Sequence, residues 1–444
     1  MKRIILIICV FAFFNACNDD EKAALDLSVT PSIIEFENVE STKKVYVASN
    51  DFWSASSNEE WCIAMVVQAS KNDSVGIKVV ENTSYYERIA YVSFENKDKT
   101  IIKTVKVIQK SIGRQLTRQA DSLLLVSLYD TLGGDDWTDN TGWKNSNLEN
   151  WIGVRIENDR VTGLKIANNN LSGELIPELS QLAMLDTLSI VAEPGLTGII
   201  PIELANLSNL RYLNISETSI EGNIPPELGN MTALEELILS ENLNFTGTIP
   251  KELGNLSNLK LLNINNLPLG GGIPAELGNL SNLKYLALDS CKFISIPAEI
   301  FGLTNLEYLS LNNNRLSGSI PAGITALTNL KHLILSNNLF GGTVSTELAA
   351  LTNLKHLSLS NNFFGGSIPP ELATLTNLKH LILSNNFFVG SIPSELDNLE
   401  LETLRLEYNY LEGDIPNGIL GKIDGESFCV CPQIGNTFDN YNCN

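Results

Sequence analysis

From Leu164 to Leu404 the chain repeats one arrangement of apolar and polar positions. A leucine opens a short stretch in which alternate residues are apolar, and it recurs as Leu164, Leu188, Leu213, Leu237, Leu262, Leu286, Leu309, Leu333, Leu357, Leu381 and Leu404, at steps of 23 to 25 residues. The most regular copy runs Leu306-Glu307-Tyr308-Leu309-Ser310-Leu311-Asn312-Asn313-Asn314-Arg315-Leu316 and continues into Ser317-Gly318-Ser319-Ile320-Pro321. Alternation predicts one short strand per unit, with leucines turned inward. One unit of this size cannot close a core, so the units must stack as a solenoid, each burying its neighbour's apolar side. Asn314, Asn338, Asn362 and Asn386 recur at one place in the unit. Their side-chain amides are expected to turn inward and satisfy main-chain groups that the curved chain leaves open. The Gly-x-Ile-Pro pieces are expected at the bend, where proline cannot join a ladder.

The pattern changes upstream. Residues 26–110 carry short alternating stretches, among them Lys44–Val47, Gly76–Val80, Ala90–Phe94 and Thr104–Ile108, broken by Asn, Asp and Ser turns. That spacing predicts a small antiparallel sandwich. Residues 111–160 begin with apolar positions at helical spacing (Leu116, Ala120, Leu123, Leu124, Ser127, Leu128) that end at Gly133-Gly134. Three tryptophans follow, Trp137, Trp143 and Trp151.

These marks resemble known families. The L-x-x-L-x-L-x-x-N-x-L unit with its Gly-x-Ile-Pro extension resembles the plant-type leucine-rich repeat, with about eleven copies over residues 161–420 and a C-terminal cap at 421–444. The expected fold is thus an α/β leucine-rich-repeat solenoid, with a parallel sheet on its concave face, preceded by an all-β sandwich. Asp135-Asp136-Trp137 through Trp143 and Trp151-Ile152-Gly153-Val154 resemble the plant-type N-terminal cap, without the cysteine pair that many such caps carry. Packing of the tryptophans must then seal the first coil. Asp135, Asp136 and Asp139 read as a solvated capping turn rather than calcium ligands. Trp53, Trp61, Asn82-Thr83, Arg88 and Val107-Ile108-Gln109 resemble the BACON domain of Bacteroidetes surface proteins, a family proposed to bind carbohydrate. Core packing is the simpler role for Trp53 and Trp61.

The first residues bear on location. Lys2 and Arg3 precede an apolar run from Ile4 to Phe14, then Asn15-Ala16-Cys17. A run this short does not span a bilayer, which needs about 20 apolar residues. Residues 1–16 resemble a bacterial lipoprotein signal peptide, which implies lipid on Cys17. The acidic tether at residues 17–25 resembles the sequence that exports such proteins to the surface of the outer membrane. Acidic residues outnumber basic ones by 51 to 30, a net charge of -21, and loss of the leader with Lys2 and Arg3 takes this to 51 against 28. Such a chain repels phosphate backbones, so nucleic acid is a poor partner.

Of seven cysteines, Cys9 lies in the leader and Cys17 at its end. The remaining five are an odd number, so at least one thiol stays free. Cys429, Cys431 and Cys443 are the candidates for a disulfide at the C-terminal end. Their spacing does not match a four-ligand zinc site. Cys291 stands where other units carry asparagine and is expected to be buried and structural.

Candidate binding residues follow from the repeat. Eleven strands at roughly 4.8 Å would give a concave face of about 50 Å. The column just before the strand leucine reads Gly163, Thr187, Tyr212, Glu236, Leu261, Tyr285, Tyr308, His332, His356, His380, Thr403. Tyr212, Glu236, Tyr285, Asp289, Tyr308, His332, His356 and His380 are the expected ligand-facing residues. All three histidines fall in this column, on near-identical units, so duplication explains them better than metal binding does. No HExxH, GxSxG, phosphate-loop or GxGxxG motif stands in a suitable context, and no catalytic residue or cofactor is expected. A protein or peptide ligand on the concave face is the leading expectation. A glycan bound by the sandwich or the tyrosines, or a plain spacer, are the alternatives.

Overall fold

The computed structural model describes residues 26–82, 87–110, 118–145, 147–424, 426–434 and 438. The leader, Cys17 and Cys443 lie outside the described residues. The chain divides into two compact units, residues 1–115 and 116–444.

The first unit is a sandwich of two sheets. Strands β1 (Leu27–Thr30), β3 (Ser41–Ser49), β7 (Asp73–Val79) and β5 (Cys62–Ala64) form one, in that order. The other runs β2 (Ile33–Phe36), β9 (Ile102–Gln109), β8 (Arg88–Asn96), β4 (Trp53–Ser57), β6 (Gln68–Ala69). Alternate residues of each strand point inward, so Val45, Val47, Val75, Ile77, Val79, Val92, Phe94, Val105 and Val107 are buried together. Trp53 is fully buried against Phe94, and its indole N–H donates to the Lys71 carbonyl at 2.9 Å. Trp61, Asn82, Arg88 and Gln109 form a lock at one end of the sandwich, and Thr83 lies outside the described residues. The Arg88 guanidinium lies 4.3 Å from the centre of the Trp61 ring and donates to Gln109 Oε1 at 2.8 Å and the Val80 carbonyl at 2.7 Å. Buried Asn82 donates to the Lys110 carbonyl at 3.0 Å. These residues hold strand ends together. None of Trp53, Asn82 and Gln109 offers a surface to a sugar.

The second unit opens with helix α1 (Arg118–Thr131). Its buried side is Asp121, Leu124, Leu125, Leu128 and Tyr129, whereas Leu123 is 64% exposed. The face expected from the sequence is therefore rotated by about one residue. Leu124, Leu125, Leu128 and Leu132 make up this face, and Asp121, which the apolar pattern ignores, lies on it too. It is completely buried, accepts from Arg160 at 2.8 and 3.0 Å and from the Val161 N–H at 3.0 Å, and so pins the helix to the first coil. Tyr129, Trp137, Trp143 and Trp151 pack in series, tilted or edge to face, at 5.1, 5.0 and 4.9 Å between ring centres and close the end of the core. Asp135 accepts from the Tyr129 hydroxyl and Asp139 from the Thr141 N–H, both at 3.0 Å.

A hairpin, β10 (Val154–Glu157) against β11 (Arg160–Ala167), starts a thirteen-stranded sheet. Every later strand joins in parallel, one per coil, and the strand leucines pair Leu164 to Leu188 to Leu213 and onward to Leu404. The fold is the solenoid expected. Short 3-10 turns such as Pro226–Asn230 and Ala275–Asn279 line the opposite side. The asparagine ladder runs through the interior. Asn338, for example, donates to the Leu311 and Leu335 carbonyls at 2.8 and 3.1 Å and accepts from the Leu316 N–H at 3.0 Å. Cys291 fills that place in its coil and donates to the Ile264 carbonyl at 3.2 Å; burial pushes its thiol up to about 12, so it is no nucleophile at neutral pH. Beyond Leu420 the sheet continues. Phe428–Cys429 pairs with Leu404–Arg405, and Gln433 takes the ladder position, accepting from the Leu411 N–H at 3.1 Å. Cys431 is disulfide-bonded, while Cys429 is a free thiol, so Cys429 drops out of the candidate set.

Candidate concave binding face

The parallel register places the column residues side by side, because each coil adds one strand at one spacing. Tyr212 pairs with Glu236, Glu236 with Leu261, Leu261 with Tyr285, and so through Tyr308, His332 and His356 to His380. All of them are half-buried. Five rings form one continuous row, of which the first pair is stacked and the rest are tilted. Tyr285 and Tyr308 lie 4.1 Å apart and nearly parallel, at 8°. Tyr308 to His332, His332 to His356 and His356 to His380 follow at 5.5, 6.0 and 5.2 Å. Tyr212 stands apart from this row, with its hydroxyl accepting from Asn214 at 3.2 Å and the Lys165 ammonium 5.9 Å from its ring.

The row is electrically quiet. Burial, then the neighbouring His380 and His332, pull the His356 imidazole down to about 4. Burial also lowers His332, helped by Lys355, and raises the Tyr285 phenol. A half-buried row of rings suits apolar, aromatic or amide groups. Among the described residues no group of three His, Cys, Asp or Glu is placed to hold a metal.

Asp289 is placed differently from its neighbours. Its carboxylate accepts from the Ser310 hydroxyl and the Asn312 N–H, both at 2.6 Å, and burial raises its pKa. Both bonds fall on Oδ1, which braces one coil on the next, and the residue remains half-exposed. Glu236 stays half-exposed in the column beside Leu261.

Two features escaped the sequence reading. Along one edge of the column runs a ladder of charges: Glu235 is held by Arg211 and Lys260, and Glu307 by Lys284 at 3.4 Å and Lys331 at 2.5 Å. Away from the concave face, a second sheet of five short strands exposes Leu339, Phe363 and Phe387, with Phe363, Phe387 and Tyr410 stacked at 5.9 and 6.0 Å. The repeated Asn-Phe-Phe copies at Asn362-Phe363-Phe364 and Asn386-Phe387-Phe388 carry that signal, since one phenylalanine of each pair must face out.

The comparisons with known proteins follow this geometry. Family models for leucine-rich repeats match residues 273–392 and 209–231, and the BACON N-terminal domain model matches residues 51–110. The solenoid is built of leucine-rich repeats. The leucine-rich repeat protein FLOR 1 of Arabidopsis thaliana is 40% identical over 63 residues, which are 14% of this chain and 19% of that protein. The leucine-rich-repeat ectodomain of the plant membrane receptor kinase GASSHO1/SCHENGEN3 from Arabidopsis thaliana, solved in complex with CASPARIAN STRIP INTEGRITY FACTOR 2, superposes with a TM-score of 0.62 at 33% identity; the match covers 67% of this chain and 36% of that one. The Arabidopsis receptor kinase HAESA, solved with the peptide hormone IDA and the co-receptor SERK1, gives 0.59 at 29%, over 72% of this chain and 62% of that one. A plant ice-binding protein gives 0.53 at 26%, over 72% of this chain and 97% of that one. The chain thus spans less than two thirds of the curated relative and of both receptor ectodomains. One scaffold carries unlike ligands, so the ligand is argued from side chains and not from the coil.

Proposed function

We propose that this chain is a non-catalytic binding protein, held by a lipid on Cys17 to the outer surface of a bacterial cell, that grips a protein or peptide through its concave face. The observation that carries this reading is the five-ring row from Tyr285 to His380, half-exposed on a sheet whose leucines are committed to the core. A rigid, preformed surface loses little freedom on binding, and aromatic side chains are favoured anchors. Two of the similar receptor ectodomains were solved with a ligand bound, a peptide hormone in the case of HAESA. The sandwich favours a structural role, because Trp53 is core and Arg88 is occupied on both its Trp61 and Gln109 sides.

The test is a selection from a displayed random peptide library on the full chain, run beside a glycan array. Tyr285→Ala with Tyr308→Ala should leave the melting temperature nearly unchanged, because neither side chain enters the leucine core. The double variant should weaken the selected peptides by about 2 kcal/mol or more, the scale of a hot spot. Unchanged peptide affinity, with glycan binding lost on changes in the sandwich, would move the site to the first unit. For the anchor, metabolic labelling with a lipid analogue should mark the wild type and not Cys17→Ala; equal labelling of both removes the lipid from the reading.

A further inference from the structure

The charge ladder beside the row of rings is incomplete. Its residues immediately precede the column: Arg211, Glu235, Lys260, Lys284, Glu307, Lys331, Lys355, Lys379 and Glu402. As far as Lys331 every cation of this series meets an acid on an adjoining coil, with Glu235 between Arg211 and Lys260, and Glu307 between Lys284 and Lys331. Then three lysines follow in succession, Lys331, Lys355 and Lys379, before the next acid, Glu402. Lys355 follows on the next coil, exposed, and among the described residues no carboxylate pairs with it. Lys379 comes after it, and its ammonium reaches only the main-chain carbonyl of Glu400, at 3.1 Å. Like charges on adjoining strands repel, and here the repulsion is left standing in a chain whose net charge is -21.

The surroundings reinforce this. The strands of these coils present His332, Ile334, His356, Ser358, His380 and Ile382, with no acid among them. Glu307 on one side is taken by Lys331 and Lys284. On the other side Glu402 stands 4.0 Å from His380, and Arg405 lies 3.7 Å from Glu407. The Lys355 and Lys331 charges also help to hold the His332 imidazole low, as a positive local field requires. The rest of the face, with Glu236 and the tyrosines, has no such excess.

We propose that the coils bearing Lys331, Lys355 and Lys379 form a subsite for an acidic stretch of the ligand, an extended peptide segment whose Asp or Glu carboxylates replace the missing acids of the ladder while its neighbouring groups rest on the Tyr285–His380 rings. The proposal rests on the concave-face reading and deepens it. In an extended peptide, side chains on one side recur about 7 Å apart, a distance that two flexible lysines on adjoining coils can match. Exposed ion pairs add little affinity by themselves, so the subsite acts mainly on specificity and on the rate of encounter.

The experiment pans one random peptide library against the full wild-type chain, Lys355→Glu with Lys379→Glu, and Tyr285→Ala with Tyr308→Ala, beside sulfated-glycan beads. Lys355 is exposed and Lys379 half-buried, and neither enters the leucine core, so the charge-reversed chain should melt close to the wild type. The expected result is enrichment of Asp and Glu on the wild type, exchanged for Lys and Arg on the charge-reversed chain. Acidic peptides should bind that chain roughly tenfold or more weakly, with a gap that narrows as salt rises. The same sequences on both chains, or no acidic enrichment on the wild type, would overturn the subsite. If the tyrosine variant alone abolishes selection, the concave reading stands and the subsite falls; if neither variant matters, both fall. Sulfated-glycan binding lost on charge reversal, with no peptide selected, would also overturn it and assign the cations to a glycan.

Discussion

Asp121→Ala is expected to destabilise the solenoid by on the order of 3–5 kcal/mol, the usual consequence of breaking a buried ion pair from one side. Asp121 is fully buried on α1, and its two oxygens take both the Arg160 guanidinium and the Val161 N–H. With the carboxylate gone, the Arg160 side chain, only 11% exposed, stays charged without that partner at the end of the core. The Val161 N–H loses its acceptor as well. Because each coil is supported only by its neighbours, damage at the cap should open the first coils before the distant ones. Hydrogen exchange should therefore quicken from Val161 to about Ile190 and stay slow beyond the tenth coil. Asp121→Leu with Arg160→Met should recover much of the loss, since an apolar pair leaves no orphaned charge. A denaturation midpoint for Asp121→Ala within experimental error of the wild type would show that the pair is not what holds the cap.

The second large effect is expected inside the array. Asn362→Ala should cost on the order of 2–3 kcal/mol, well above a typical surface change. Asn362 donates to the Leu335 and Leu359 carbonyls at 3.0 and 3.1 Å and accepts from the Phe340 N–H at 3.0 Å. Alanine leaves the Phe340 N–H dry and unpaired, at about 1–3 kcal/mol, while the Leu335 and Leu359 carbonyls lose one of two donors and keep Asn338 and Asn386. Water cannot easily replace the amide, because Phe340, Phe364 and Leu359 around it are all buried. Chemical denaturation should show the loss, and a loss below 1 kcal/mol would mean that the ladder is decorative. By contrast, Asn361, the preceding residue, is exposed with a positive φ and belongs to the turn. Replacing its side chain should touch the turn and spare the ladder.

The two asparagines are adjacent and differ in kind, and both roles can be read from the period. A copied unit meets the same neighbours one coil away, so each position inherits the environment of its counterpart. For this reason the strand leucines, the inward asparagines and the concave column were legible before any coordinates, and the register of every coil strand follows them. The alternation in the sandwich was legible for the same local reason, since a strand with one buried face must alternate.

What the sequence by itself determined about this protein is the repeating part: two kinds of unit, the solenoid with its parallel sheet, and which residues look out of its concave side. The tertiary structure decided whatever depends on residues far apart or on a departure from the repeat. Asp121 and Arg160 meet across 39 positions, a buried pairing on the α1 face that no apolar pattern announces. Asp289 looks outward by its place in the unit, yet Ser310 and Asn312 of the next coil capture it. Trp61 and Arg88, or Cys429 and Cys431, carry no rule of spacing that says which packs, which bonds and which stays free. Periodicity specifies environments that recur. A contact made once has no second copy to announce it, and its energy comes from burial and partners that exist only after the chain has closed around them.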